Sequence, residues 1–395
     1  MATLPLAGVR VLSLAEQYPG PYATMLLADL GADVILVERP DGGDPSRRFA
    51  GLFAAFNRNK RSVALDLKSA SGLEQFLGLV DTADVVVEGF RAGVMDRLKI
   101  GAAALRARRP SLVFVSISSF GQIGPGGSGG AGGAGGSGGS GGAGGSGGSG
   151  ASLAGHDLSI QAAAGMIDVP LGQEAALALP MLPLADISSA MFAAMGIVTA
   201  LFARTRNGQG STIDVSMLDS LASWMTPFLV PPLNQLPTRI LPPQDPGYGL
   251  FATADGRQIT LSIAGEDRMW ATLCRMLGLE SFAALPEQER SDRAAEITPQ
   301  LRAAVGRWNY AALYQRLQDE GIAFGPVRRL DEVLADPQMV ARRMVVEVDG
   351  PHGTQKFVRQ PLLFDGEGGA ITCQAPALGQ HDAQLLRRSA AHALG

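Results

Sequence analysis

The chain has 395 residues, 46% of them hydrophobic, enough for two domains or one large domain with a satellite. Its net charge of −4 offers no basic face for nucleic acid, and its two cysteines and four scattered histidines make neither a disulfide framework nor a metal site. Residues 1–5 carry no basic n-region, and no stretch reaches about eighteen uninterrupted apolar residues, so a cytoplasmic protein without a membrane partner is expected.

Val9 to Leu14 reads as a buried parallel strand. Pro19-Gly20-Pro21 turns the chain, and Tyr22 to Leu30 reads as a helix ended by Gly31. Asp33 to Glu38 is a second strand, completing a β-α-β unit with a right-handed crossover. The turn from Ala15 to Pro21 lacks G-x-G-x-x-G, which argues against an NAD-dependent dehydrogenase. Arg39 follows the second strand, on the edge that faces the ligand crevice in doubly wound folds. An arginine there serves equally as a surface charge. Asn57 to Ser62 is a basic segment leading into a strand from Val63 to Leu67, and its Lys60 and arginines can clasp phosphate oxygens. A helix (Ser69 to Val80) and a strand (Asp84 to Val87) follow; Glu88 to Arg97 then brings Arg91 to a strand's carboxyl end. A helix from Ala102 to Arg108 and a strand from Leu112 to Ser116 complete the alternation of a doubly wound parallel sheet.

From Gly126 to Gly150, twenty-five residues are only Gly, Ala or Ser. Such a run cannot bury apolar surface and is expected to be a flexible coil spanning roughly 28 Å. It has neither the Gly-Lys-Ser/Thr of a P-loop nor the proline of collagen. Its flanks read as two halves of one loop. Leu158 to Met166 is expected to be helical, and Ile187 to Thr205 is an apolar helix stopped by Asn207-Gly208. His156 can shuttle a proton near neutral pH, or be a satisfied imidazole. Asp186, just before the long helix, can act as nucleophile or base, or simply as an N-cap. Thr212 to Met217 is a strand. Prolines between Pro227 and Pro246 mark a domain crossing, and a hairpin follows over Leu250 to Ile263. Glu266 opens a helix to Leu277, where an acid suits the helix dipole. More helices run to about Glu320 and over Asp331 to Leu334, then short strands over Val345 to Val348 and Gln355 to Val358.

Several segments, in this order and spacing, carry a family pattern. They are Leu6-Ala7-Gly8-Val9-Arg10-Val11-Leu12, Leu30-Gly31-Ala32-Asp33-Val34 with Glu38-Arg39-Pro40, and Asn59-Lys60-Arg61-Ser62. Further on come Glu88-Gly89-Phe90-Arg91, Gly121-Gln122-x-Gly124-Pro125, Gly208-Gln209-Gly210 with Asp214-Val215-Ser216-Met217, and Gly325-Pro326-Val327. The chain resembles the class III CoA-transferases (CaiB/BaiF-like) and their relatives, the α-methylacyl-CoA racemases. The resemblance spans nearly everything except the Gly-rich run. It implies an α/β chain with a large Rossmann-like domain containing both termini, a smaller α+β middle domain, and an interlocked homodimer. On this chain the large domain would take residues 1–225, interrupted by the coil at 126–150, and the return over 331–395. The small domain with its connecting segments would take 226–330.

The resemblance also implies that coenzyme A binds at the strand ends, as a thioester substrate and not as a permanent cofactor. Arg39 would meet the adenine nucleotide, Lys60 and Arg97 would lie near its phosphates, and Gln17, Arg91 and Asp157 would complete the CoA-binding set. Asp186 falls on the family's catalytic aspartate. In the transferases that carboxylate attacks an acyl-CoA thioester; an aspartyl–acyl anhydride forms and thiolate leaves. CoA then returns to give an aspartyl-CoA thioester, which hands CoA to an acceptor acid. In the racemases the same aspartate pairs with a histidine, here His156, across the α-carbon, and Glu266 matches a glutamate close to that histidine. His156 favours the racemase. Three departures favour the transferase: Ile187-Ser188-Ser189-Ala190-Met191 replaces a Gly-rich stretch, Ile160 replaces a tyrosine, and Gly321 to Val327 is transferase-like. Transfer of CoA between an acyl-CoA and a carboxylic acid is the first reading and racemisation the second. A CoA-binding protein without turnover is the third, because the Gly-rich run splits the loop carrying His156. Met181, Met191, Met195, Trp224 and Met225 are candidates for an apolar acyl wall, or for ordinary core.

Overall fold

The structure is a computed structural model that describes residues 4–122, 155–168, 181–236 and 245–386. The Gly-rich run lies outside the described residues. The chain divides into two compact units. Within the described residues, the first comprises 4–122, 155–168, 181–226 and 341–386, and the second 227–236 and 245–340.

In chain order the first unit forms β1 (Arg10–Ser13), α1 (Pro19–Asp29), β2 (Asp33–Glu38), α2 (Ala50–Asn57), β3 (Lys60–Ala64), α3 (Ala70–Val80) and β4 (Val85–Glu88). It continues with α4 (Val94–Arg97), α5 (Ala102–Arg108), β5 (Val113–Ser118), α6 (Asp157–Ala163), α7 (Leu184–Asn207), β6 (Thr212–Ser216) and α8 (Met217–Trp224). The six strands pair in parallel in the order β3-β2-β1-β4-β5-β6. This is the doubly wound order expected from the alternation, with its switch point between β1 and β4. The Val-rich central strands are buried on both faces, as parallel strands must be when helices cover both sides. Val11, Val34, Val85 and Val113 pack against α1 and α7 through Ala23, Leu27, Ala190, Ala193 and Ile197. Leu12, Ile35, Val63 and Phe114 pack against α3 and α5 through Phe76, Leu79 and Leu105.

Two local differences from the sequence reading matter for the site. α1 starts at Pro19 instead of Tyr22. Prolines belong in a first helical turn, where their missing N–H is not needed. Gly20 is required there, since a Cβ would meet that of Ala15, in the turn after β1, at 2.1 Å. β3 starts at Lys60, paired with Val34, instead of at Val63. Its basic lead-in is therefore inside the sheet.

α7 is 24 residues long, and its mean hydropathy of 1.7 suits a membrane span by length and composition. Its Ala190, Ala193, Ile197, Ala200 and Leu201 are buried in the core against the sheet, so it is a core helix of this unit.

The second unit is α+β. After α9 (Thr226–Leu233), the antiparallel strands β7 (Tyr248–Ala252), β8 (Gln258–Ser262) and β9 (Phe324–Pro326) carry α10 (Asp267–Leu277), α11 (Glu287–Asp292), α12 (Ala294–Val305) and α13 (Tyr310–Asp319). Trp270 anchors its core and donates to the Phe282 carbonyl at 2.8 Å. Arg290, fully buried, is held by Asp245 at 2.9 Å.

Candidate functional site

The carboxyl edge of the parallel sheet collects most of the residues singled out in the sequence. Gln17 follows β1 at the switch point. It is exposed and takes a left-handed φ of +68°, unusual for a residue with a side chain. Asp44 holds it there, accepting the Gln17 N–H at 3.1–3.2 Å through its two oxygens. Asp44 is itself fixed, since its own N–H donates to Glu38 Oε1 at 3.0 Å. Glu38 is gripped by both Nε and Nη2 of Arg47, each at 2.7 Å, and by the Ser62 hydroxyl, which keep its carboxyl below the usual range despite burial. Arg39 lies on this rigid loop, exposed, with Nε donating to the Gly43 carbonyl at 3.0 Å. Arg91 and Arg97 are exposed on the segment after β4. Glu88 braces that segment by accepting the Phe90 N–H at 2.7 Å, and burial pushes its carboxyl up to about 7.

Lys60 does not join this edge. It is 1% exposed, and its ammonium donates to the Pro21 carbonyl, Thr24 Oγ1 and Asn57 Oδ1 at 2.8–2.9 Å. An ammonium has three donors and all are used, so none remains for a CoA phosphate. Burial lowers its pKa to about 7. Its work is to tie α1 and α2 to β3, which corrects the expectation drawn from the resemblance.

The second cluster joins α6 to α7. His156 stands exposed just before α6, its backbone N–H bound to Ser159 Oγ at 3.0 Å. Asp157 opens α6, and its Oδ1 accepts the N–H groups of Ala185 at 2.8 Å and Asp186 at 3.2 Å. Its Oδ2 accepts from Gln161 Nε2, which also reaches the Leu182 carbonyl at 3.1 Å. The carboxylate placed by resemblance among the CoA contacts is thus bonded to the start of α7. Asp186 sits inside the first turn of α7 and not before it, so it does not cap that helix. Burial first, and then the charge of Asp157, push its carboxyl up to about 7.

Tyr18, overlooked in the sequence, lies within electrostatic reach of both carboxylates. Burial raises its phenol first, with Asp186 and Asp157 adding to the rise. Its ring meets Phe56 edge-on at 4.6 Å. Its place beside Gln17 in the turn after β1 was the available signal. Glu266 belongs to the second unit, where its Oε2 accepts the Ala264 N–H at 2.7 Å at the start of α10. Of the proposed apolar wall, Met225 is core, whereas Met181, Met191, Met195 and Trp224 are exposed. No cluster of metal-ligating side chains occurs among the described residues.

A sheet ordered 3-2-1-4-5-6, with arginines following its strands at the switch-point edge, is the frame of a nucleotide-binding α/β enzyme. Within that class the chain belongs to CoA-transferase family III, whose family model matches residues 6–136 and 139–382. It is 29% identical to a succinate–glutarate CoA-transferase of Agrobacterium fabrum, over 97% of this chain and 95% of that protein. It is also 30% identical to an α-methylacyl-CoA racemase of Mus musculus, over 97% of this chain and 92% of that one. Among solved structures it superposes on a CaiB/BaiF family protein from Brucella suis with a TM-score of 0.80 at 28% identity, covering 98% of this chain and 99% of that chain. The chain is accordingly an enzyme of the family III CoA-transferases, a class whose substrates are CoA thioesters.

Proposed function

We propose that the chain moves CoA from an acyl-CoA donor to a carboxylic acid acceptor, with Asp186 as nucleophile. The observation that carries this reading is a half-buried carboxyl in the first turn of α7, its pKa raised first by burial and without a cationic partner among the described residues, on an edge supplied with arginines. Desolvation makes the ionised carboxylate a better nucleophile than one in water. Its oxygen attacks the thioester carbonyl, the C–S bond breaks, and CoA leaves as thiolate, giving an aspartyl–acyl anhydride. The thiolate then attacks the aspartyl carbonyl and expels the donor acid as carboxylate. The acceptor carboxylate takes the aspartyl group from the resulting thioester, and returning thiolate forms the new acyl-CoA and frees Asp186. Gln17, Arg39, Arg91 and Arg97 hold the CoA, and Lys60 takes no part. The succinate–glutarate relative supports a dicarboxylic acid acceptor.

The test is peptide mass spectrometry after incubation with acetyl-, propionyl- and succinyl-CoA and a hydroxylamine quench. A hydroxamate at Asp186 is the expected product. The racemase relative and exposed His156 favour a second reading, with His156 and Asp186 exchanging the α-proton. Unmodified Asp186 together with deuterium entering the acyl α-carbon from D₂O would establish it in place of the first. Should neither signal appear with any CoA thioester that binds, the third reading, binding without turnover, would stand.

The working form proposed is a homodimer, interlocked as in the resemblance. Met191, Met195, Val198 and Phe202 are 47%, 58%, 42% and 58% exposed at the i, i+4, i+7, i+11 spacing of one helix face, opposite the face of α7 buried on the sheet. An apolar stripe of this kind is an interface signature. Met195→Lys with Phe202→Lys is expected to shift the protein toward monomer in sedimentation velocity. A wild-type protein that runs as a monomer at micromolar concentration would end the dimer proposal.

A further inference from the structure

Helix α7 begins without a capping side chain of its own. The residue before it is Pro183, which makes no side-chain cap bond, yet the helix carries Asp186 in its first turn. The orphan N–H groups of a helix start need acceptors, and two of them here are taken by a residue of another helix, Asp157 of α6. Gln161, one turn along α6 and fully buried, binds the other oxygen of that carboxylate and the carbonyl of Leu182. Residues 182–186 are therefore clamped from both sides of the helix start by an i, i+4 pair on α6.

We infer that Asp157 is a positioning residue for Asp186, fixing the backbone from which the reacting carboxyl projects and holding a negative charge against it. This rests on the nucleophile reading given above. The placement has a direct chemical consequence. A helix N-terminus ordinarily stabilises an ionised acid. Here the positive end of α7 is answered by the Asp157 carboxylate, so Asp186 does not enjoy that stabilisation alone. Among the described residues, the titratable groups that interact electrostatically with it are Asp157 at the start of α6 and Tyr18 just before α1. None of these supplies a fixed positive charge. Burial first and the Asp157 charge second leave Asp186 basic and reactive, on a backbone held at the Ala185 and Asp186 amides.

Two substitutions separate the parts of this role. Asp157→Asn is close to isosteric and keeps one acceptor oxygen for the α7 amides, but removes the charge. Asp157→Ala removes both. Carbon-13 NMR of protein labelled with [4-¹³C]aspartate, with the Asp186 signal assigned by its loss in Asp186→Asn, reads the titration directly. Asp157→Asn is expected to lower the proton affinity of Asp186 by roughly tenfold. Asp157→Ala is expected to speed hydrogen exchange at the Ala185 and Asp186 amides by about tenfold or more, with Gln161→Leu giving a smaller rise in exchange and little change in titration. Both readouts work without a known substrate and with the intact chain.

With a thioester that yields the Asp186 hydroxamate, the Asp157→Ala loss should fall on kcat, with KM for the thioester little changed. An unmoved Asp186 titration and unmoved exchange in the Asp157 variants would overturn the inference. A raised KM at unchanged kcat would also overturn it, because Asp157 would then be a CoA contact. Absence of the hydroxamate in the wild type is a separate result: it removes the nucleophile reading while the titration and exchange still decide whether Asp157 holds and charges the α7 start.

Discussion

Asp186→Asn is expected to lose CoA transfer by on the order of 10⁴-fold or more, because an uncharged amide has no oxygen able to attack a thioester and form the anhydride. The loss should lie almost wholly in kcat. KM for the thioester should change by less than about threefold, since CoA is held in the proposed mechanism by groups following β1, β2 and β4 and not by the start of α7. The residual rate reports what binding and orientation alone contribute. The hydroxamate at residue 186 must vanish with the activity. Retention of more than about 1% of the wild-type kcat would remove Asp186 from the covalent role, since no other nucleophile is proposed. Asp186→Glu distinguishes placement from chemistry. It keeps the carboxylate but moves it about 1.5 Å further along the side chain, and errors near 1 Å cost some hundredfold in rate. An intermediate loss of that order is expected from it.

The sheet was legible in the sequence because parallel strands buried on both faces are short apolar runs with little room for another reading. Asp33–Glu38 of that sheet forms a strand with the bounds the pattern predicts, as do Val345–Val348 and Gln355–Val358 of a separate antiparallel pair. Where the sequence reading missed, tertiary contacts decided the outcome. Residues 50–57 gave no boundary signal, yet they form α2, whose Phe53 is buried and whose end is fastened to Lys60 through Asn57. Lys60 looked like a phosphate ligand because a lysine in a basic run is usually solvated. Its burial depends on three acceptors from α1 and α2 that no local pattern reveals. Asp186 looked like an N-cap by the ordinary rule for an acid before an apolar helix. The rule held for the helix and failed for the residue: α7 starts at Leu184, three residues before the expected Ile187, and takes its acceptor from Asp157, distant in sequence. Freed from capping, Asp186 is available for chemistry, which is the difference that most affects the functional reading.

The raised pKa of Asp186 predicts two pH dependences of opposite use to the protein. In the free enzyme the carboxyl ionises near 7, so kcat/KM for transfer should fall about tenfold per pH unit below about 7 and level off above it. A solvated carboxylate would instead leave the profile flat down to pH 5, and such a flat profile would refute the desolvated nucleophile. Stability runs the other way. The folded chain holds the Asp186 proton more tightly than the unfolded chain does, so this residue's contribution to stability falls as pH rises from about 4 to about 7 and is constant beyond. A rise from 3.8 to about 7 corresponds to at most ~4 kcal/mol of native-state stability forgone at pH 8, to less than ~1 kcal/mol at pH 4, and to none below about pH 3, where both states are protonated. Asp186→Asn is free of that term. It should melt close to the wild type at pH 4 and clearly above it at pH 8, with the gap opening between those limits. Other groups titrate in both proteins and cancel in the difference. A gap that stayed level across this range would mean that Asp186 is ionised in the fold at little expense, and the reactive, poorly solvated carboxyl on which the mechanism depends would have to be given up.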